Sequence, residues 1–215
     1  GNDWARTFGI SKNIKSALRL LKDGRVARQD MVKVSLLNAS GAEVGSRYMA
    51  NIAGIGLDAR VCEIVNHKKK QGYRGKKLYV SALLYCIKHR VPVAAKVMCD
   101  GQTIFDGKYL SMALGTGKYS GGGMRQTPLA VPDDGLIDVT IIPDIPMSVI
   151  ARKVITLFTG TFYTVKQLTL ARGSEVVVLP SGQAAKEPLE VDGEVVGRVP
   201  AKFKVLEDQL NVMVP

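Results

Sequence analysis

The sequence is poor in the residues that most metal and redox chemistry requires. Its 215 residues include two histidines and three cysteines. Cys62, Cys86 and Cys99 form no Cys-x-x-Cys pair, and their odd number argues against a disulfide framework or a zinc centre. His67 and His89 are too few for histidine-centred triad or cluster chemistry, and His89 reads as a charge at a helix end. Aromatics make up 6%, with one tryptophan, which leaves little to stack single-stranded bases on. No basic recognition helix with base-reading side chains is apparent, so a nucleic-acid partner is not expected. The longest apolar stretches, near Val80–Ile87 and Val154–Phe158, are too short to cross a bilayer. No signal peptide is visible.

What is present is an apolar fraction of 46%, enough for a real core, and a formal net charge of +11. Such an excess favours an acidic partner: phosphate, anionic lipid or nucleic acid. The densest cluster is His67-Lys68-Lys69-Lys70, followed by Arg74, Lys76 and Lys77. It fits either an anionic membrane surface or a solvated helix corner. The cysteines read as buried thiols of a reducing cytosol, so a cytoplasmic, peripherally membrane-associated protein is expected. Asn38-Ala39-Ser40 matches a glycosylation acceptor but is read as chance.

Along the chain, residues 3–8 and 11–23 read as helices, with Ser11 as an N-cap and Gly9 and Gly24 as C-terminal caps. Ile14, Ala17, Leu18 and Leu21 give the second helix one apolar stripe. Strand alternation starts at Val32 and returns in Val44–Ile52, joined through Gly41. Helices are expected near Asp58–Lys69, Gly75–Arg90 and Ser148–Phe158. Strands are expected near Val93–Cys99, Thr103–Phe105, Tyr109–Gly115 and Leu136–Ile142. From Lys166 onward come short strands, with turns at Gly173, Ser181-Gly182, Asp192-Gly193 and Asp208. The fold class is therefore α+β, mainly β: an antiparallel sandwich or barrel with inserted helices. Residues 1–28 read as a helical remnant of an α/β lobe and residues 29–206 as the β domain. Residues 207–215 form a last strand that returns to either.

Four segments carry candidate chemistry. Gly54-Ile55-Gly56-Leu57-Asp58 runs from a strand to an Asp that is either a helix N-cap or a carboxylate at a cleft edge. Gly115-Thr116-Gly117 and Ser120-Gly121-Gly122-Gly123 are turns, or places where backbone approaches a ligand closely. No helix directly follows, so no P-loop or dinucleotide fingerprint applies. Asp133-Asp134-Gly135 is an Asx-type turn or the carboxylate of a hard-cation site. Glu190-Val191-Asp192-Gly193-Glu194 is a tight hairpin, in which Glu194 is an ordinary strand residue or a general base.

Together with Gly1-Asn2-Asp3-Trp4-Ala5-Arg6, which reads as a motif with its front removed, these segments resemble the diacylglycerol kinase-like lipid kinases. That superfamily includes bacterial lipid kinases and the sphingosine and ceramide kinases. The resemblance spans nearly the whole chain. It implies an α/β nucleotide-binding lobe, a β-sandwich lobe and an active site between them. The Gly-Gly-Asp-Gly-Thr segment that holds ATP in that family does not occur in this sequence. The resemblance therefore implies that this polypeptide is inactive alone. It assigns catalytic roles to Glu194, as general base on a lipid hydroxyl, and to Asp3, in the acidic network. Asp58 would touch the lipid headgroup. Asp134, with main-chain carbonyls of Val131 and Leu136, would hold a structural Mg²⁺. ATP is the implied co-substrate, a lipid the implied partner, and a homodimer is known for some members. The rivals are a non-catalytic lipid-binding or regulatory module, and a NAD kinase-like enzyme of related two-lobe plan.

Overall fold

The computed structural model describes residues 2–153, 155–181 and 187–215. Short polar–apolar alternations separated by glycine turns dictate most of it, because one face of each strand must be buried. Two helices come first, α1 (Asp3–Thr7) and α2 (Ile14–Asp23). Asn13, and not Ser11, caps α2: its Oδ1 accepts from the Lys15 amide at 2.9 Å. Gly24 is extended and not left-handed, and its amide closes the helix on the Leu20 carbonyl. The stripe of Ile14, Leu18 and Leu21 faces solvent.

β1 (Arg25–Leu37), β2 (Glu43–Met49) and β3 (Ile52–Gly56) follow, then α3 (Leu57–Lys70) and α4 (Lys76–Lys88). β4 (Val93–Cys99) leads into β5 (Gln102–Gly115), which absorbs the two short strands expected over 103–115. After β6 (Ile137–Pro143), the single helix expected over 148–158 appears as α5 (Met147–Lys153) and α6 (Thr156–Thr159). Val154, within that expected helix, lies outside the described residues, as does the turn residue Gly182. β7 (Thr169–Gly173), β8 (Glu175–Ser181), β9 (Pro188–Val191), β10 (Glu194–Arg198) and β11 (Ala201–Val214) complete the order. Asp208, expected at a turn, falls within β11.

All pairings between these strands are antiparallel. The order is β10-β9-β3-β5-β4-β8-β11-β1-β2, with β6 joining β5 to β7. The sheet wraps around one core in which Met49, Ile55, Met112, Leu189 and Phe203 are fully buried. The fold is thus the mainly β antiparallel sandwich with inserted helices that the alternation implied. A second, smaller core holds α3 and α4 on the sheet through Leu57, Val61, Val65, Ala82, Cys86 and Leu110.

β1 and β11 pair along almost their whole length, with one register break between Gln29 and Met31. Beyond that bulge, Arg25–Gln29 and Leu210–Val214 continue as a ribbon. Asp30 sits in the bulge, buried, and pins the following acidic loop: its Oδ2 accepts from the Gly135 amide at 2.7 Å.

Candidate active site

The β9–β10 hairpin turns on Asp192 and Gly193, both with positive φ (52° and 90°). A two-residue turn with both centres left-handed matches the twist of the strands it joins and favours Asp-Gly. The Asp192 carboxylate reaches back and accepts from the amides of Ala50 (2.8 Å), Asn51 (3.0 Å) and Ile52 (3.0 Å). It therefore locks the hairpin onto the chain where β2 passes into β3. Burial pushes this carboxyl above its ordinary range, and the three amides pull it back.

Two residues earlier, on the same side of the strand, lies Glu190. It pairs with Gly54 of β3 and is 7% exposed. Its Oε2 accepts from the Gly193 amide at 2.8 Å. Burial first, then the charges of Asp58 and Asp192, push it up to about 8 against that amide's opposing pull. Gly54 is what permits the arrangement. A Cβ there would stand 2.8 Å from Glu190 Oε1 and 2.8 Å from Asp58 Cβ.

Asp58 does not cap α3. Gly56, at φ 81°, holds the N-cap position. Asp58 sits in the first turn, and its Oδ2 accepts from Ser111 Oγ at 2.7 Å. Burial pushes its carboxyl up, while Ser111 and Gln126 hold it down. One helical turn on, Cys62 Sγ lies 3.0 Å from the Gly193 carbonyl, and burial pushes the thiol up to about 12. A thiol so strongly protonated is no nucleophile. Tyr79 of α4 is pushed up as well, by burial and by the charges of Asp58, Glu190, Cys62 and Asp3. One acidic region thus collects Asp58, Glu190 and Asp3 around the Tyr79 hydroxyl.

Asp3 arrives through the glycine loop. Its Oδ2 accepts from the Gly122 amide at 2.7 Å, and Arg6 Nε lies 3.3 Å from its Oδ1. The Lys118 amide donates to Thr7 Oγ1 at 3.0 Å, and Asn51 Nδ2 donates to the Tyr119 carbonyl at 3.0 Å. A Cβ on Gly117 would collide with the Asn51 side chain, and one on Gly121 with the Tyr79 hydroxyl. So α1, Asn51, Tyr79 and the 117–123 loop need one another's backbone at close range. Asp3 Oδ1 and Asn51 Oδ1 are buried and accept no hydrogen bond among the described residues. A buried acceptor without a donor is costly, so Asn51 Oδ1 can take one from a bound molecule, whereas Asp3 Oδ1 already has the Arg6 guanidinium beside it.

The structure therefore brings Asp3, Asp58 and the Asp192-Gly193 turn together, through Asn51 and Tyr79. Glu194 opens β10 opposite Val191 and is exposed. It makes no side-chain hydrogen bond or ion pair among the described residues. Its anchorage is the preceding carbonyl of Gly193, which accepts from Asn66 Nδ2 at 3.0 Å. Sequence reasoning passed over Glu190 and Tyr79. The signal for Glu190 was period two: it shares a strand face with Asp192, between Leu189 and Val191, which are both buried.

The acidic loop at 131–138 is satisfied from within. Asp134 Oδ1 accepts from the Leu136 amide at 3.2 Å, and Arg172 of β7 pairs with Asp134 Oδ2. Arg172 Nε also lies 3.0 Å from Asp138 Oδ2. Among the described residues no group of three or more carboxylate, histidine or cysteine side chains is placed to hold a metal ion. In this arrangement the Arg172 guanidinium supplies the positive charge at Asp134, the carboxylate expected with the Val131 and Leu136 carbonyls at a hard-cation site.

Residues 51–214 match the model of the YegS C-terminal NAD kinase beta sandwich-like domain. The chain belongs to that family. A Stenotrophomonas maltophilia protein named "Probable lipid kinase YegS-like" is 27% identical over 218 residues, covering 100% of this chain and 66% of its own length. A diacylglycerol kinase of Mycobacterium tuberculosis (strain ATCC 25618 / H37Rv) is 25% identical, with the same 66% covered. This YegS-type chain thus spans about two thirds of the length of these curated relatives. A crystal structure of a diacylglycerol kinase from Bacillus anthracis str. Sterne superposes with a TM-score of 0.65 at 16% identity, covering 100% of this chain and 63% of that one. Yeast NADH kinase, complexed with NADH, gives 0.51 at 10% identity, over 95% and 48%. At those identities the two structures speak for the fold alone. Among the described residues no helix is long and apolar enough to cross a membrane.

Proposed function

We propose that this chain is the acceptor-side lobe of an ATP-dependent lipid kinase, which moves the γ-phosphoryl group of ATP to a lipid hydroxyl. One observation carries the reading. Asp3, Asp58, the glycine loop and the Asp192-Gly193 hairpin, scattered over 190 residues of sequence, meet in one region: Asn51 bonds both the hairpin and the loop that Asp3 holds, and Asp58 stands beside Glu190 over Gly54. Phosphoryl transfer asks for positioning and charge stabilisation more than covalent help, and carboxylates gathered near the Tyr79 hydroxyl and the glycine loop suit the acceptor end.

In this reading Glu194, exposed beside the cluster, accepts the proton of the lipid hydroxyl. Asp58, already accepting from the Ser111 hydroxyl, orients the headgroup. Asp3 completes the network. ATP and its Mg²⁺ belong to a preceding lobe, which contacts the solvent-facing stripe of α2, and the 215-residue chain alone is inactive. The enzyme works peripherally on an anionic membrane surface in the cytoplasm.

The test is transfer of labelled phosphate from ATP by the full-length protein. The acceptors are diacylglycerol, phosphatidylglycerol, a sphingoid base and an undecaprenyl-type alcohol in mixed vesicles. Product with at least one, and none from residues 1–215 alone, is the expected result. Transfer to NAD with none to any lipid would replace this reading by the NAD kinase-like one, which the sandwich also accommodates.

A further inference from the structure

The helix that closes over the acidic cluster has two unlike faces. Inward, Tyr79 of α4 reaches Gly121, and Ala82 and Cys86 pack into the smaller core. Outward, Val80 (52% exposed), Leu84 (61%) and Tyr85 (57%) stand in solvent, flanked on the same face by Lys77 and Lys88. Positions 77, 80, 81, 84, 85 and 88 follow helical spacing, so this is one continuous stripe: apolar in the middle, cationic at both ends. The corner leading into it adds Tyr73, exposed, with Lys68 Nζ 5.2 Å from its ring, and the exposed Lys69, Lys70 and Arg74.

We propose that the outer face of α4, with the α3–α4 corner, docks this protein onto an anionic lipid bilayer. The choice of occupant rests on charge. From Ile64 to Met98 the sequence contains no carboxylate and nine lysines and arginines. A single-sign cationic rim around aliphatic and tyrosine side chains suits a surface of apolar chains beneath anionic headgroups. There lysine stems lie along the interface and tyrosine rings sit at headgroup depth. A second copy of this chain would bring the same positive rim against itself, at a like-charge cost. Since α4 packs mainly on α3, the helix that meets the bilayer is also the wall of the acidic cluster. This rests on the lipid-kinase reading for its purpose: a lipid hydroxyl leaving the bilayer beside α4 meets Asp58 and Asp3 within one side-chain layer.

The experiment is co-sedimentation of the full-length protein with vesicles of phosphatidylcholine containing about one third phosphatidylglycerol. Binding to these, about tenfold weaker with phosphatidylcholine alone and weakening as salt rises from about 50 to about 500 mM, is expected. The pair Val80→Ser and Leu84→Ser lowers it a further tenfold or so, since two apolar anchors are lost. Both positions are exposed, so the fold is not at risk. Lys77→Glu with Lys88→Glu checks the same face independently and should weaken the dependence on phosphatidylglycerol. Leu84→Trp should show an emission blue shift on vesicle addition. Binding unchanged by both pairs overturns the proposal. So does concentration-dependent self-association that the serine pair abolishes while vesicles are ignored. Vesicle binding that the serine pair removes, without phosphate transfer to any lipid, leaves the docking face standing and removes the kinase reading.

Discussion

Glu190 and Asp58 lie side by side over Gly54, two carboxyl groups held where one missing Cβ leaves room for both. Burial first, and then the charges of Asp58 and Asp192, raise the cost of ionising Glu190, so near neutral pH it keeps its proton. The pair is an inner wall. It can accept or hand on a proton, and it keeps the Gly193 amide engaged under the turn that presents Glu194.

Stability should therefore fall with rising pH. Glu190 holds its proton up to about 8 when folded and only to 4.5 in its ordinary state. Its contribution is complete below about pH 4.5 and is lost as pH climbs towards about 8, at up to about 1.4 kcal/mol per pH unit. The upward shifts of Asp58 and Asp192 carry the same sign. Glu190→Gln should flatten that slope. Urea midpoints measured from about pH 5 to about pH 8 decide it, and a slope equal to the wild type's would show that Glu190 is not the group responsible.

Asp192 is the single acceptor for three backbone amides. Asp192→Ala leaves them without a partner and puts an alanine at φ 52°, so a loss of about 2–4 kcal/mol is expected. Asp192→Asn keeps one oxygen and tolerates the left-handed region, and should lose less than half as much. Denaturant unfolding of both variants against wild type gives the ratio. Equal losses would mean that the turn conformation matters and the amide cage does not.

The sheet was legible because period two survives in a single sequence at Val32, Val34 and the 93–99 run, and because Asp192-Gly193 carries the chemistry of a tight hairpin turn. What local signals missed depends on contacts far apart in sequence. Ser11 and Asn13 offer the same cap chemistry, and only the way the chain enters α2 selects Asn13. Asp58 looks like an N-cap from its neighbours, yet Ser111, 53 residues away, holds its carboxylate inward. Arg172, 38 residues beyond Asp134, turns a cation-like loop into an ion pair. Glu190 was hidden for a different reason: a carboxylate in a fully buried strand contradicts the average, and it makes sense only once Asp58 and Gly193 are seen around it.

The loop around Asp134 should be indifferent to divalent metal. Thermal unfolding with EDTA and with excess Mg²⁺ is expected to give the same midpoint, because Arg172 already neutralises Asp134 and Asp138. Arg172→Ala should cost about 1 kcal/mol, a modest figure because the guanidinium is partly solvated. It should also expose a metal dependence absent from the wild type, as two carboxylates lose their cation. A clear upward shift of the wild-type midpoint with Mg²⁺ would restore the cation site.

Glu194 and Glu190 offer two carboxylates four residues apart for one catalytic task, and their surroundings separate the roles. Glu194 is exposed and free to meet a lipid hydroxyl; Glu190 is enclosed and bonded to the Gly193 amide. In the full-length enzyme Glu194→Gln should lower kcat by about 10²–10⁴ with KM for ATP nearly unchanged, the mark of a lost proton acceptor. Glu190→Gln should cost at most about tenfold and act mainly on the pH profile, since it positions the turn without touching substrate. Steady-state kinetics of both variants across pH distinguishes the assignments. A loss below about threefold for Glu194→Gln, together with collapse of kcat for Glu190→Gln, would transfer the base role to the buried carboxylate.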